Sequence, residues 1–290
     1  MITGSIVALV TPMHADGSVD WTSLERLLEL HIASGTSAIG VVGTTGESST
    51  LSVPEHCEVI KHCVSHINHR VPIVAGTGAN STREAIILTE AAAEAGVDAC
   101  LLVTPYYNRP TQNGLYEHHK AVAEAVKIPQ ILYNVPGRTC IDMLNSTVQR
   151  LAGLDNIVGI KDATGDVERG RDLIECVGQQ IAIYSGDDPT SMELMLAGGH
   201  GSISVTANIV PDRVAQLCRL SMAGDRQAAT ALNNTLVALN EALFVEANPI
   251  PIKWALYNKG LIEAGIRLPL TPLDEQYREQ VVAAMEAVGI

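Results

Sequence analysis

The stretch Asn156-Ile-Val-Gly-Ile-Lys161-Asp162-Ala-Thr-Gly165 puts a single lysine at the end of a short apolar run. With Leu154-Asp155 before it and a Thr164-Gly165 turn after it, the run reads as a buried parallel strand. Lysine is seldom buried, because stripping water from an ammonium is costly unless the group is paired or gives up its proton. A neutral amine held in such a place attacks carbonyl carbons and forms imines. The competing reading is an ion pair with a carboxylate such as Asp162, or a side chain that snorkels to the surface. Other segments carry groups suited to the same chemistry. Gly43-Thr-Thr-Gly-Glu-Ser48 offers backbone N–H groups and hydroxyls to an anion such as a carboxylate. Thr104-Pro-Tyr-Tyr-Asn108 and Tyr133-Asn-Val-Pro-Gly-Arg138 supply phenols and an arginine, and Gly186-Asp-Asp188, Ser202, Ser204 and Thr206 add further polar groups. A carbinolamine gains and loses protons as it forms and collapses, and phenols near the lysine can relay them.

These groups must be brought together by the elements that carry them. Apolar runs with strand character recur at 5–10, 38–42, 72–75, 99–103, 130–134, 156–161, 181–185 and 201–205. Most of the gaps hold a helical pattern. Apolar residues at 24, 27, 28 and 32 follow an acidic cap at Asp20 and stop at Gly35. Ser81-Thr-Arg-Glu84 is a capping-box pattern, Ser146 suits the cap of a short helix through Leu151, and Asp188-Pro189 reads as a cap followed by proline at the first helical position. Eight strand–helix alternations predict a closed parallel (β/α)8 TIM barrel over residues 1–224. Beyond it only helical patterns remain, at 226–244, 251–262 and 274–288, so residues 225–290 are expected to form a C-terminal helical domain. In such barrels active sites form where the strands end. The polar segments above lie at or just after the ends of predicted strands, except for Ser202 and Ser204, which the eighth strand itself carries.

Composition narrows the function classes. A net charge of −13 argues against nucleic acid or an anionic membrane as the main partner. The six cysteines are scattered without a CxxC pair, as expected of reduced cytosolic thiols. The start lacks the pattern of a signal peptide, and no stretch approaches the roughly 18 apolar residues of a membrane helix, so a cytoplasmic protein is expected. His62, His66 and His69 have a spacing open to zinc, but they fall opposite Cys57, Ile60, Val64 and Ile67 on a helix, and a solvated face is the expectation. Gly76-Thr-Gly78 lacks the third glycine of a dinucleotide fingerprint, and no P-loop lysine follows a glycine cluster. Neither a cofactor nor a metal is expected.

Gly43-Thr-Thr-Gly-Glu47, Pro105-Tyr-Tyr107, Tyr133-Asn-Val-Pro-Gly-Arg138, Gly159-Ile-Lys161-Asp-Ala-Thr-Gly165 and Asn248-Pro-Ile-Pro-Ile-Lys-Trp254 together resemble the dihydrodipicolinate synthase (4-hydroxy-tetrahydrodipicolinate synthase) family, over essentially the whole chain. The wider superfamily includes N-acetylneuraminate lyase and 2-keto-3-deoxy sugar acid aldolases. The resemblance implies a lyase of diaminopimelate and lysine biosynthesis that condenses pyruvate with L-aspartate 4-semialdehyde. It implies an imine between Lys161 and pyruvate, and a proton relay of Thr44, Tyr133 and a Tyr107 lent by a neighbouring subunit of a homotetramer. Thr45 would hold the pyruvate carboxylate and Arg138 that of the semialdehyde, with Gly186 and Ile203 lining the site through their backbones. Sugar-acid relatives generally lack that arginine. Ser48, Ser49, His56, Asn80, Glu84 and Tyr106 match an inhibitory lysine site of regulated members, although Val53 stands where some of those carry a histidine. The rival readings are a sugar-acid or N-acetylneuraminate aldolase on the same scaffold, and a barrel that binds without catalysing.

Overall fold

The computed structural model describes residues 1–290. Eight parallel strands close on themselves in chain order. They are β1 (Gly4–Ala8), β2 (Ala38–Val41), β3 (Ile73–Gly76), β4 (Ala99–Val103), β5 (Gln130–Asn134), β6 (Ile157–Asp162), β7 (Ala182–Ser185) and β8 (Gly201–Ser204), with β1 pairing to β8. Each predicted run coincides with one of them to within two residues. The strands are short because a barrel stave needs only a few residues to span the lumen.

Side-chain alternation sorts these strands into two cores. Ile6, Val74, Leu101, Ile131, Tyr133, Tyr184 and Ile203 cluster in the lumen, chiefly with other strand residues. Val7, Ile39, Cys100 and Leu102 face the other way, into the layer shared with the helices. Tyr184 fills the lumen beside the side-chain-free Gly159, where a Cβ would lie 3.0 Å from its ring, and its hydroxyl donates to the Ile2 carbonyl at 2.6 Å. Burial pushes that phenol well above its usual pKa range.

One irregularity decides the direction of β6. Gln130 pairs with Ile157, but the next residue, Ile131, pairs with Gly159, so Val158 is an extra residue. Ile157 and Ile160 consequently both pack on the outer side although they are three positions apart. A bulge of this kind reverses the side-chain parity of everything after it. Lys161 is thereby turned into the lumen beside Tyr133, its register partner on β5.

Helices α1 (Trp21–Ala33), α2 (Val53–Ile67), α3 (Thr82–Ala95) and α4 (Gln112–Ala125) follow the first four strands. Asp20 caps α1 by accepting the Ser23 N–H, as its position predicts. Ser81 caps α3, but the reciprocal capping box is found on α2, between Ser52 and Glu55. The short α5 (Pro136–Thr139) and α6 (Asn145–Leu151) follow β5. Ser146 lies inside α6 and does not cap it; Leu144 occupies the cap position without a side-chain bond. After α7 (Val167–Val177) comes α8 (Ser191–Leu196), which starts later than Asp188-Pro189 suggests. Asp188 is buried and accepts N–H groups of Val205 and Thr206, at 2.9 and 3.1 Å, tying the ends of β7 and β8 together. Burial raises its carboxyl pKa, against hydrogen bonds that lower it.

The histidine expectation also needs correction. His62 and His66 are only partly exposed, and they face α1, bonding to Glu25 and Glu29 at 3.1 and 2.8 Å. His69 lies past the end of α2. The face is an ion-paired helix–helix seam, because carboxylates on α1 that local periodicity does not reveal lie opposite it. All six cysteines are unpaired, and no helix is long and apolar enough to cross a membrane.

The last barrel helix, α9 (Pro211–Met222), leads into α10 (Arg226–Ala242), α11 (Ile250–Asn258) and α12 (Glu275–Ala287). Leu236, Leu239, Ile252, Leu256 and Val281 from these last three helices belong to the same apolar core as Val7 and Leu9 of the barrel.

Candidate active site

Lys161 is 5% exposed, and its Nζ sits 4.3 Å from the centre of the Tyr133 ring. The expected alternative, a pair with Asp162, is not formed. Strand alternation sends Asp162 outward, where it accepts Nε of Arg169 at 2.9 Å. The same guanidinium reaches Asp142 at 2.9 Å and the Met143 carbonyl, and Asp142 also accepts the Asn134 amide at 2.8 Å. This network secures the ends of β5 and β6 while leaving the lysine amine free of any carboxylate. Gly186 follows β7 directly against it. A Cβ there would lie 2.7 Å from Lys161 Cε and 2.8 Å from Ala163 Cβ, so only glycine lets the side chain lie where it does. Ile203 is buried in the lumen on β8.

The Gly-Thr-Thr-Gly-Glu turn after β2 is held from the far end of the chain. Thr45 is buried, and its Oγ1 accepts the Asn248 amide at 3.0 Å. The Asn248 backbone carbonyl accepts Nη2 of Arg138 at 2.9 Å. Glu47, in the left-handed region at φ 56°, accepts the Thr50 N–H through its backbone carbonyl and closes the turn by donating to Thr44 O at 3.1 Å. Its buried carboxylate meets Lys253 of α11 and accepts the backbone N–H of Arg267 at 3.0 Å. Burial pulls the Lys253 ammonium below its usual pKa, with Glu47 opposing that shift. Gly46 and Gly76 are packed so closely on the Val42–Gly43 backbone that a Cβ would lie within 3.0 Å of it, which leaves no room for a side chain at either position.

Thr44 and Arg138 line one hollow of about 420 Å³. Its wall continues through Ser48, Ser49, Val53, His56, Glu84 and Tyr106, so five of the six predicted inhibitor positions share one hollow with Thr44 and Arg138, and Asn80 does not line it. His56 is anchored on the Gly76 carbonyl at 2.8 Å, and its pKa is lowered by burial. Asn80 is fixed through its backbone carbonyl, which accepts the Asn108 amide at 2.9 Å. The Tyr106 phenol is raised by burial and by the neighbouring Glu84.

Tyr107 is the exception. It is 90% exposed, with φ at 73°, and it points away from its own chain. A bulky residue in the left-handed region stores strain, and strain of this kind marks functional positions. Lys161, Tyr133, Thr44, Thr45, Arg138, Gly186 and Ile203 therefore gather at one end of the barrel, while Tyr107 does not join them within the monomer. Asn248, Lys253 and Glu47 as loop anchors were not anticipated. The one signal available was the unusual polarity of Asn248 and Lys253 inside an otherwise apolar segment.

Comparison with known proteins shows likeness along the whole chain. Residues 1–288 match the model of the dihydrodipicolinate synthetase family. The 4-hydroxy-tetrahydrodipicolinate synthase of Stutzerimonas stutzeri is 60% identical over 290 residues, covering all of this chain and 99% of that one. The chloride-inhibited dihydrodipicolinate synthase of Acinetobacter baumannii, solved in complex with pyruvate, superimposes with a TM-score of 0.99 at 61% identity, with complete coverage of both chains. The enzyme of Cyanidioschyzon merolae, solved with lysine bound, gives a TM-score of 0.96 at 38% identity over 99% of this chain and 98% of that one. With an inward lysine at the end of β6 and likeness along its full length, the chain belongs to the dihydrodipicolinate synthetase family.

Proposed function

We infer that this protein is a lyase that condenses pyruvate with L-aspartate 4-semialdehyde, the reaction of 4-hydroxy-tetrahydrodipicolinate synthase in the diaminopimelate route to lysine. The observation that carries the reading is the buried, carboxylate-free amine of Lys161 against Tyr133 of β5, with Arg138 in the short helix that follows the same strand. The amine adds to C2 of pyruvate, and the carbinolamine loses water to give an iminium. The iminium draws electrons from the methyl group, which loses a proton to form an enamine. The enamine carbon then attacks the aldehyde of the second substrate. Attack of that substrate's own amine on the imine carbon closes the ring and releases Lys161. Thr44 and Tyr133 relay the protons, completed by Tyr107 of a second subunit, whose exposure and strained backbone suit a residue lent to a neighbour. Thr45 receives the pyruvate carboxylate, and the planar fork of Arg138 receives that of the semialdehyde. The backbones of Gly186 and Ile203 line the pocket. The imine itself is the electron sink, so the chemistry calls for no cofactor or metal.

Residues 1–224 carry the chemistry, and 225–290 form the helical domain that braces the second βα loop. A cytoplasmic homotetramer belongs to the same reading, with the exposed, strained Tyr107 as the residue that asks for a neighbouring subunit. Supplied separately with aspartate semialdehyde, N-acetylmannosamine and glyceraldehyde, the purified protein is expected to consume pyruvate with the semialdehyde alone. Turnover with a sugar aldehyde would keep Lys161 and reassign Arg138.

L-Lysine is a further ligand of the hollow that adjoins the site. Glu84 suits its ammonium, with Ser48, Ser49, His56 and Tyr106 in the same wall, and Asn80, four residues before Glu84, suits its carboxylate. Saturating L-lysine is expected to slow turnover, and Glu84→Ala to weaken that inhibition about tenfold or more by removing a charged partner. Equal inhibition of the variant would move the lysine site elsewhere.

A further inference from the structure

A threonine hydroxyl has one proton to give, and what surrounds its oxygen decides where that proton points. At Thr45 the oxygen already accepts a hydrogen bond from Asn248 Nδ2 at 3.0 Å. The proton is therefore directed away from Asn248, free to be given to an acceptor in the site. Asn248 is only 6% exposed, and its Oδ1 is buried without a partner. Turning the amide over would leave a buried donor unpaired instead, and orphaned donors are the rarer and less tolerated case. The side chain also has little freedom to turn. Its backbone carbonyl holds Arg138, and α11, which begins two residues later, is pinned to Glu47 through Lys253.

We propose that Asn248 is a positioning residue for pyruvate: by donating to Thr45 Oγ1 it aims the Thr45 proton at the pyruvate carboxylate. The inference rests on the assignment of that carboxylate to Thr45. It makes a distinction between the two substrates. Arg138 is held by the backbone carbonyl of residue 248, which survives any side-chain replacement, so the semialdehyde end of the site keeps its anchor.

Steady-state kinetics of Asn248→Ala, Thr45→Val and the double variant test the proposal. Asn248→Ala is expected to raise the KM for pyruvate about tenfold, the effect of a hydrogen bond to a charged group, while the KM for the semialdehyde stays within about twofold. The double variant is expected to be no worse than Thr45→Val alone, because Asn248 acts through that hydroxyl. Asn248→Leu keeps the branched shape and the number of heavy atoms without the amide, and is expected to behave as the alanine does. It serves if the smaller residue does not fold, and borohydride trapping of pyruvate verifies an intact Lys161 site in each variant. An unchanged pyruvate KM in both Asn248 variants overturns the proposal, as do additive effects in the double variant or an equal rise in both KM values. An unchanged pyruvate KM in Thr45→Val refutes instead the assignment of the carboxylate to Thr45, so the two failures are told apart.

Discussion

Lys161→Ala is expected to lower turnover by at least ~10³-fold and to eliminate the pyruvate adduct trapped by borohydride. The size of the loss follows from the role. Every later step, from methyl deprotonation to attack on the aldehyde, depends on an iminium that only an amine can form. Lys161→Arg separates that role from charge. It puts a guanidinium near the Tyr133 ring, but a guanidinium is too weakly nucleophilic to form the imine, so the variant is expected to be as inactive as the alanine one. Mass analysis of peptides from the trapped wild-type protein places the adduct. A label that persists in Lys161→Ala would sink the assignment. Its most informative destination would be Lys253, the other lysine buried in this structure.

Lys253→Met is expected to destabilise the protein by about 3–5 kcal/mol, because it leaves the Glu47 carboxylate buried without its cation. For a chain of this size that is a fall of roughly 6–10 °C in melting temperature. The charged partner lies more than thirty residues beyond the last barrel strand, yet the consequence falls on the Thr44–Thr45 turn, since Glu47 closes that turn with its backbone. Activity at temperatures well below the transition is therefore expected to fall as well. Glu47→Gln removes the charge but keeps a carbonyl for the Arg267 N–H, so combining it with Lys253→Met should recover part of the loss. Thermal melts of the two single variants and the double variant decide the matter. Strict additivity would mean that the two residues are stabilised independently, and the brace between the helical segment and the loop would have to be abandoned.

Much of the architecture is legible in the chain because it depends on local repetition. Eight short apolar runs separated by helical patterns leave few alternatives to a closed parallel barrel, and the rule that sites form where strands end singled out the region around Lys161, Thr44, Tyr133 and Arg138. Residue chemistry marked Lys161 as a candidate for imine formation against an ion pair or a snorkelling side chain, and the resemblance of the surrounding motifs to a family gave that candidate its preference. Tertiary structure decided the rest. Simple alternation along β6 from the outward Ile157 would send Lys161 outward too. It points into the lumen only because Val158 is an extra residue relative to β5, and a bulge is a property of two paired strands rather than of one. Asn248 and Lys253 reach the loop across 203 and 206 residues, and a contact at such separation leaves no periodic trace in either segment. Asp188 has the sequence of a helix cap but joins two strand ends, and the partly exposed His62–His66 face meets carboxylates of a neighbouring helix. The amino-acid sequence by itself determined the barrel and put Lys161 at the end of its sixth strand, because both arise from short-range pattern. The direction of that lysine and the fixing of the Thr44–Thr45 turn were decided by strand pairing and long-range packing, which exist only once the chain has folded.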